Sequence, residues 1–136
     1  MSTLQTQSQA WIEYDYAIVR AVPRVEIGTF VNIGVVMHAR RAGFLEARMH
    51  VDRQRISGVC GRIDVDLLQC FAEAYGRVCL GGAGAGPIGL LPASERFHWL
   101  TAPRSAVLQT SPVHPGRCRD LHAALDSLFQ EHCMLR

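Results

Sequence analysis

The stretch Phe30-Val31-Asn32-Ile33-Gly34-Val35-Val36-Met37-His38-Ala39, then Arg40-Arg41-Ala42-Gly43, then Phe44-Leu45-Glu46-Ala47-Arg48-Met49-His50-Val51, decides the fold. Two alternating runs joined by a polar turn that closes on glycine predict an antiparallel hairpin. Val31, Ile33, Val35 and Met37 share one face of the first strand, with Phe30, Asn32, Gly34, Val36 and His38 on the other. In the second strand Leu45, Ala47, Met49 and Val51 alternate with Glu46, Arg48 and His50. Matching the apolar faces sets Met37 opposite Leu45 and Val35 opposite Ala47. Arg40, Arg41 and Ala42 then form a three-residue loop, with Gly43 left-handed. Asn32 and His50 become cross-strand neighbours beside Gly34 and Arg48.

Upstream of the hairpin, Tyr14, Tyr16, Ile18 and Val22 alternate with Ala17, Val19 and Ala21. Both faces are largely apolar, which places this strand in the middle of a sheet. Pro23 stops it, and residues 24–29 connect to the hairpin. Residues 1–10 are polar and read as a disordered leader, without the basic and apolar regions of a signal peptide. Downstream, residues 52–58 make a helical turn. A longer helix starts at the N-cap Asp64, with Leu67, Phe71, Ala74, Tyr75 and Val78 as its buried stripe. Gly81-Gly82 ends it, and residues 81–92 read as a glycine-rich linker. A second β region is expected over residues 95–110, with Phe97 and Trp99 on one face and Arg96 and His98 on the other. Residues 111–116 read as irregular. The last helix starts near Asp120 and buries Leu121, Ala124, Leu125, Leu128 and Phe129. This order predicts an α+β fold over residues 11–136, a mainly antiparallel sheet with two principal helices packed on it.

Composition narrows the function classes. Of the 136 residues, 49% are hydrophobic and 19% charged, ordinary globular usage. The longest uncharged run, residues 78–94, is interrupted by five glycines and two prolines and cannot span a membrane. All 14 basic residues are Arg, yet the net charge is only +2, so the charge argues against a nucleic-acid partner. Five cysteines without a C-x-x-C pair argue against a disulfide framework and against zinc, and place the chain in a reducing compartment, the cytoplasm. Gly84-Ala85-Gly86-Pro87-Ile88-Gly89 has dinucleotide-fingerprint spacing, but it follows a helix rather than a strand, so no cofactor is expected from it. Asp64 and Asp66 are explained by helix capping, and no residue set has metal-ligand or catalytic spacing.

Two segments carry the candidate binding residues. The first runs from Val22 to Val35 and holds Arg24, Glu26 and Asn32, the only asparagine in the chain. Set in an apolar strand, its amide must find a partner. The second, residues 95–114, concentrates Arg96, Arg104, Ser105, Gln109 and His114. Charged and amide groups beside core strands need mutual pairing or a shared ligand, so these residues are expected to converge on one region.

Tyr14-Asp15-Tyr16-Ala17-Ile18-Val19-Arg20, Val22-Pro23-Arg24-Val25-Glu26 through Asn32-Ile33-Gly34-Val35, and Arg96-Phe97-His98-Trp99-Leu100-Thr101-Ala102-Pro103-Arg104-Ser105 through Ser111-Pro112-Val113-His114 resemble the bacterial proteins grouped as domain of unknown function 3037. The likeness runs from Tyr14 to the last helix. The family usually has an acidic residue where Thr29 stands and often an Arg where Ile27 stands, which weakens any charged site built on those positions. The resemblance brings no established reaction. It implies a non-enzymatic accessory or binding subunit that partners a HipA-like kinase. The alternative is an enzyme acting on a small anionic or phosphorylated metabolite, with Arg24, Arg96 and Arg104 as anion clamps and His114 as acid/base. Nucleic-acid binding ranks last.

Overall fold

A computed structural model describes residues 10–22, 28–60, 63–104 and 106–134. Its central strand is β1 (Ile12–Ala21), as the two-faced apolar pattern predicts. Strand β2 (Val31–Ala39) pairs with β1 along one side, and β3 (Phe44–Met49) pairs with β2. On its other side β1 takes two short partners, β4 (Leu108–Thr110) along residues 19–21 and β5 (His114–Cys118) along residues 12–16. All pairings are antiparallel, and with the helices they make an α+β fold. Ser111 bridges the change of partner. Its hydroxyl accepts the Ile18 N–H at 2.9 Å, and its own N–H donates to the Ile18 carbonyl at 2.8 Å, so the ladder continues across the break.

Helices α1 (Arg53–Cys60), α2 (Val65–Leu80), α3 (Gly86–Gly89, a single turn) and α4 (Ala93–Thr101) come between β3 and β4. Helix α5 (Leu121–Phe129) continues into a π-helical turn, Gln130–Met134. Each face of the sheet has its own core. Ala17, Val19, Ala21, Ile33 and Val36 pack with Ile56, Leu68, Tyr75, Phe97 and Leu100 from α1, α2 and α4. Ile18, Val35 and Met37 pack on the opposite face with Leu121, Leu125, Phe129 and Cys133. Asp64 caps α2 by accepting the Leu67 N–H at 3.0 Å, and Asp120 caps α5 through the Ala123 N–H at 3.1 Å.

The hairpin register differs from the expected one by one residue. Met37 faces Glu46, Val35 faces Arg48, and His38 faces Leu45. The loop therefore holds four residues, a 3₁₀ turn Arg40–Ala42 closed by Gly43 at φ 61°. Face matching misleads because β2 is buried on both sides, so its apolar residues do not choose a face for β3. The polar residues of β3 lie on the α5 side, where Arg48 pairs with Asp126 and Glu46 with His122 at 2.9 Å while all four side chains keep access to solvent. Strand β2 also carries a bulge. Val19 faces Gly34 and Arg20 faces Asn32, which leaves Ile33 unmatched and moves Val31 and Ile33 to the same core as Val36. Gly34 is required by close approach. A Cβ there would lie 2.6 Å from the Arg48 carbonyl oxygen and 2.3 Å from Met49 Cγ.

Four further expectations are corrected. Residues 93–101 form a helix rather than a strand, burying Phe97 and Leu100 at helical spacing while Trp99 is 39% exposed. A four-residue alternation around Phe97 is too short to outweigh the Ala93, Phe97, Leu100 repeat. Residues 111–116 were expected to be irregular, but 114–118 are strand β5; Pro115 is tolerated because, among the described residues, β5 pairs on one side only. Helix α2 buries Val65, Leu68, Ala72, Tyr75, Val78 and Cys79, leaving Leu67 and Phe71 largely exposed. Its two apolar stripes share Tyr75 and Val78, so periodicity alone cannot choose between them. The glycine-rich stretch folds into a 3₁₀ turn, Ala83–Ala85, followed by α3. The Gly82 N–H donates to the Gly89 carbonyl at 2.7 Å, and Ala85 and Ile88 pack against the core.

Candidate functional site

Arg24, Glu26 and Ser105 lie outside the described residues. Of the other five candidates, Asn32 and Gln109 flank one residue while Arg96, Arg104 and His114 lie elsewhere, so the five described residues do not gather in one region. Arg96, at the start of α4, donates from Nη1 to the Val78 and Cys79 carbonyls at 2.9 and 2.7 Å and from Nε to the Leu91 carbonyl at 2.9 Å. These are orphan carbonyls at the end of α2 and in the loop before α4, so the guanidinium is a C-terminal cap. His114 stands exposed on β5 with its ring 5.6 Å from that of Tyr16.

Asn32 and Gln109 are brought together, with a residue between them that the sequence reading did not single out. Both pair across the sheet with Arg20, one from β2 and one from β4. The Asn32 amide donates to the His132 carbonyl at 3.2 Å, while Gln109 donates to the Ala106 carbonyl at 2.8 Å. Among the described residues Asn32 Oδ1 and Arg20 Nε are buried without a hydrogen-bond partner, and the Arg20 guanidinium lies 4.3 Å from the Phe30 ring centroid. Asn32 also lines a polar cavity of about 440 Å³ with His50, Asp52 and Arg55. Thus Asn32 and His50 do share a wall, although the His50 N–H bonds the Ile33 carbonyl.

Arg104 belongs to a largely apolar concavity. A groove of about 440 Å³ runs between α2, α3, α4 and the approach to β4, walled by Phe71, Val78, Ile88, Trp99 and Val107. Arg104 lies over the Trp99 ring at 4.6 Å and donates to the Trp99 and Ala102 carbonyls, fixing one cation on a hydrophobic wall. Phe71 is 41% exposed there, a large apolar side chain left unburied. Its signal was present in the sequence, since Leu67, Phe71 and Ala74 lie on one stripe, but Leu67 is exposed and Phe71 and Ala74 line the groove instead of the core.

Little in this groove is arranged for covalent chemistry. Tyr75 donates to the Leu100 carbonyl at 3.1 Å, and burial pushes its phenol far above the usual range. Burial likewise pushes the Cys79 thiol up to about 12 and Cys133 to about 11, the opposite of an activated thiolate. Among the described residues no three His, Cys, Asp or Glu side chains are grouped to hold a metal ion, and no helix is long and apolar enough to cross a membrane.

A family model described as protein of unknown function (DUF3037) matches residues 16–133, from the middle of β1 through the π-helical turn. The chain belongs to the DUF3037 family. The matched span takes in both cores, the Arg20 row and the apolar groove of this DUF3037 chain. No curated protein matches it, and neither does any solved structure.

Proposed function

We propose that this DUF3037 chain is a non-enzymatic binding or accessory subunit whose docking surface is the groove between α2 and α4. The observation that carries this reading is the exposure of Phe71 and Trp99 around one anchored cation, Arg104. Aromatic and Arg side chains clustered on a concave surface are what binding hot spots are made of. The groove suits an apolar segment of a partner that bears a carboxylate opposite Arg104. A HipA-like kinase, implied by the family resemblance, is the first partner to test, and five free thiols fit the cytoplasm as the place of that encounter. The metabolite-enzyme alternative draws less support, because Arg96 spends its donors on backbone carbonyls and His114, on β5 beside Tyr16, does not line the groove that holds Arg104.

The experiment is co-purification of the chain with the HipA-like kinase from its own host, followed by calorimetric titration. Phe71→Asp and Trp99→Ala should each weaken the complex by about 2 kcal/mol or more while leaving the circular dichroism spectrum unchanged. Full affinity in both folded variants would remove the groove from the reading.

A further inference from the structure

A second concavity, remote from the groove, holds charges that the fold does not use. It opens where β1, β2 and β5 meet the hairpin turn, has a volume of about 570 Å³, and is lined by Glu13, Asp15, His38, Arg40, Arg41 and Arg117. The topology builds it directly. Arg40 and Arg41 come from the 3₁₀ turn, His38 faces Asp15 across β1 and β2, and Arg117 faces Glu13 across β1 and β5. Arg119 stands next to it. The Arg117 and Arg119 guanidinium carbons lie 5.1 and 4.6 Å from the Trp11 ring centroid, so one aromatic side chain holds both.

Two features set this cleft apart from an ordinary solvated surface. Two carboxylates share it with three arginines, yet among the described residues no arginine of the cleft makes an ion pair within 4 Å. The floor is His38, only 8% exposed, its ring stacked on Phe97 at 5.2 Å. Among the described residues its imidazole makes no hydrogen bond, and it faces the cleft. Burial holds it below the usual imidazole range, with Arg40 and Arg96 acting the same way and Asp15 opposing them. Near neutral pH it is uncharged and can still donate one N–H.

We propose that this cleft binds a diphosphate group, gripped by Arg40, Arg41 and Arg117 and met at the floor by the His38 N–H. Guanidinium forks match phosphate oxygens bidentately, and the three arginines outnumber the carboxylates of Glu13 and Asp15, so the balance of charge in the cleft favours an anion. The site shares no residue with the docking groove, so either can fail without the other.

The test titrates inorganic pyrophosphate, and in parallel adenosine diphosphate, into the full chain at low salt, read by calorimetry and by the nitrogen-15 resonances of the histidine rings. Saturable binding of either ligand, with a shift of the His38 resonances, supports the site. A gain in affinity for adenosine diphosphate assigns the group to a nucleotide, and equal affinity assigns it to free diphosphate. Arg41→Ala and Arg117→Ala, both at exposed positions, should each weaken pyrophosphate about tenfold or more, whereas Arg53→Ala, paired with Asp66 outside the cleft, should not. Glu13→Gln should tighten binding. The proposal is overturned by absence of binding at millimolar ligand, by binding that both arginine variants retain in full, or by weakening in Glu13→Gln, which would mark a cation site.

Discussion

A single side chain can look like chemistry in the sequence and prove to be architecture. Arg96 stands in a segment rich in His, Ser and Gln, yet its guanidinium ties α2 to α4 through three carbonyls. Charge-assisted bonds of this kind are worth about 1.5–3 kcal/mol when their removal orphans the acceptors. Arg96→Ala should therefore lower the melting temperature by roughly 5–10 °C in a chain of this size, with no effect on pyrophosphate binding. A thermal melt followed by circular dichroism reads this directly. Glycine positions divide the same way. Gly34→Ala drives a methyl group into the Arg48 carbonyl and should cost about 1–3 kcal/mol or more. Gly58→Ala, in α1 with nothing within 4 Å of the added carbon, should stabilise by about 0.5–1 kcal/mol. Urea denaturation of the two variants should thus move in opposite directions.

At the scale of elements, legibility followed the strength of each local signal. The two-faced pattern of β1, the N-cap Asp64, the start of the last helix near Asp120 and the stripe of α5 were all readable, because each rests on residues whose environment depends little on partners. The hairpin register was not, since β2 is apolar on both sides and β3 turns Leu45, Ala47 and Met49 toward a core completed by α2, a partner that the hairpin's own residues do not reveal. Helix α4 was missed because Arg96-Phe97-His98-Trp99 mimics a half-buried strand over four residues. The candidate site fared in the same way: Arg104 was legible as a cation, but the groove around it depends on which stripe of α2 turns inward. That orientation is testable. Phe97→Ala should cost about 3–5 kcal/mol, as for a buried aromatic, while Phe71→Ala, on the open stripe, should cost well under half of that. Equal losses in denaturant melts would mean that the α2 stripe is turned the other way.

For the molecule as a whole, the buried imidazole of His38 links stability to pH. Its folded-state pKa is depressed, chiefly by desolvation, so the unfolded chain takes up a proton near pH 6.5 that the folded chain resists. This contribution is fully present above about pH 6.5 and is lost as the pH falls below it. Wild type should lose more melting temperature between pH 7.5 and 5.5 than His38→Gln does, and parallel profiles would contradict it. The two-core architecture has a further consequence, in time. One face of the sheet is roofed by α5 and the π-helical turn alone, through Leu121, Leu125, Phe129 and Cys133. While the chain is being made, Ile18, Val35, Met37 and Ala39 form a finished apolar surface with no cover until residues 121–133 have emerged. At about 5–20 residues per second that interval lasts seconds, ample time for a chaperone to bind or for two nascent chains to meet face to face. A stop codon after Arg119 should freeze the chain in that state, and the product should pellet from lysate while the full chain stays in the supernatant.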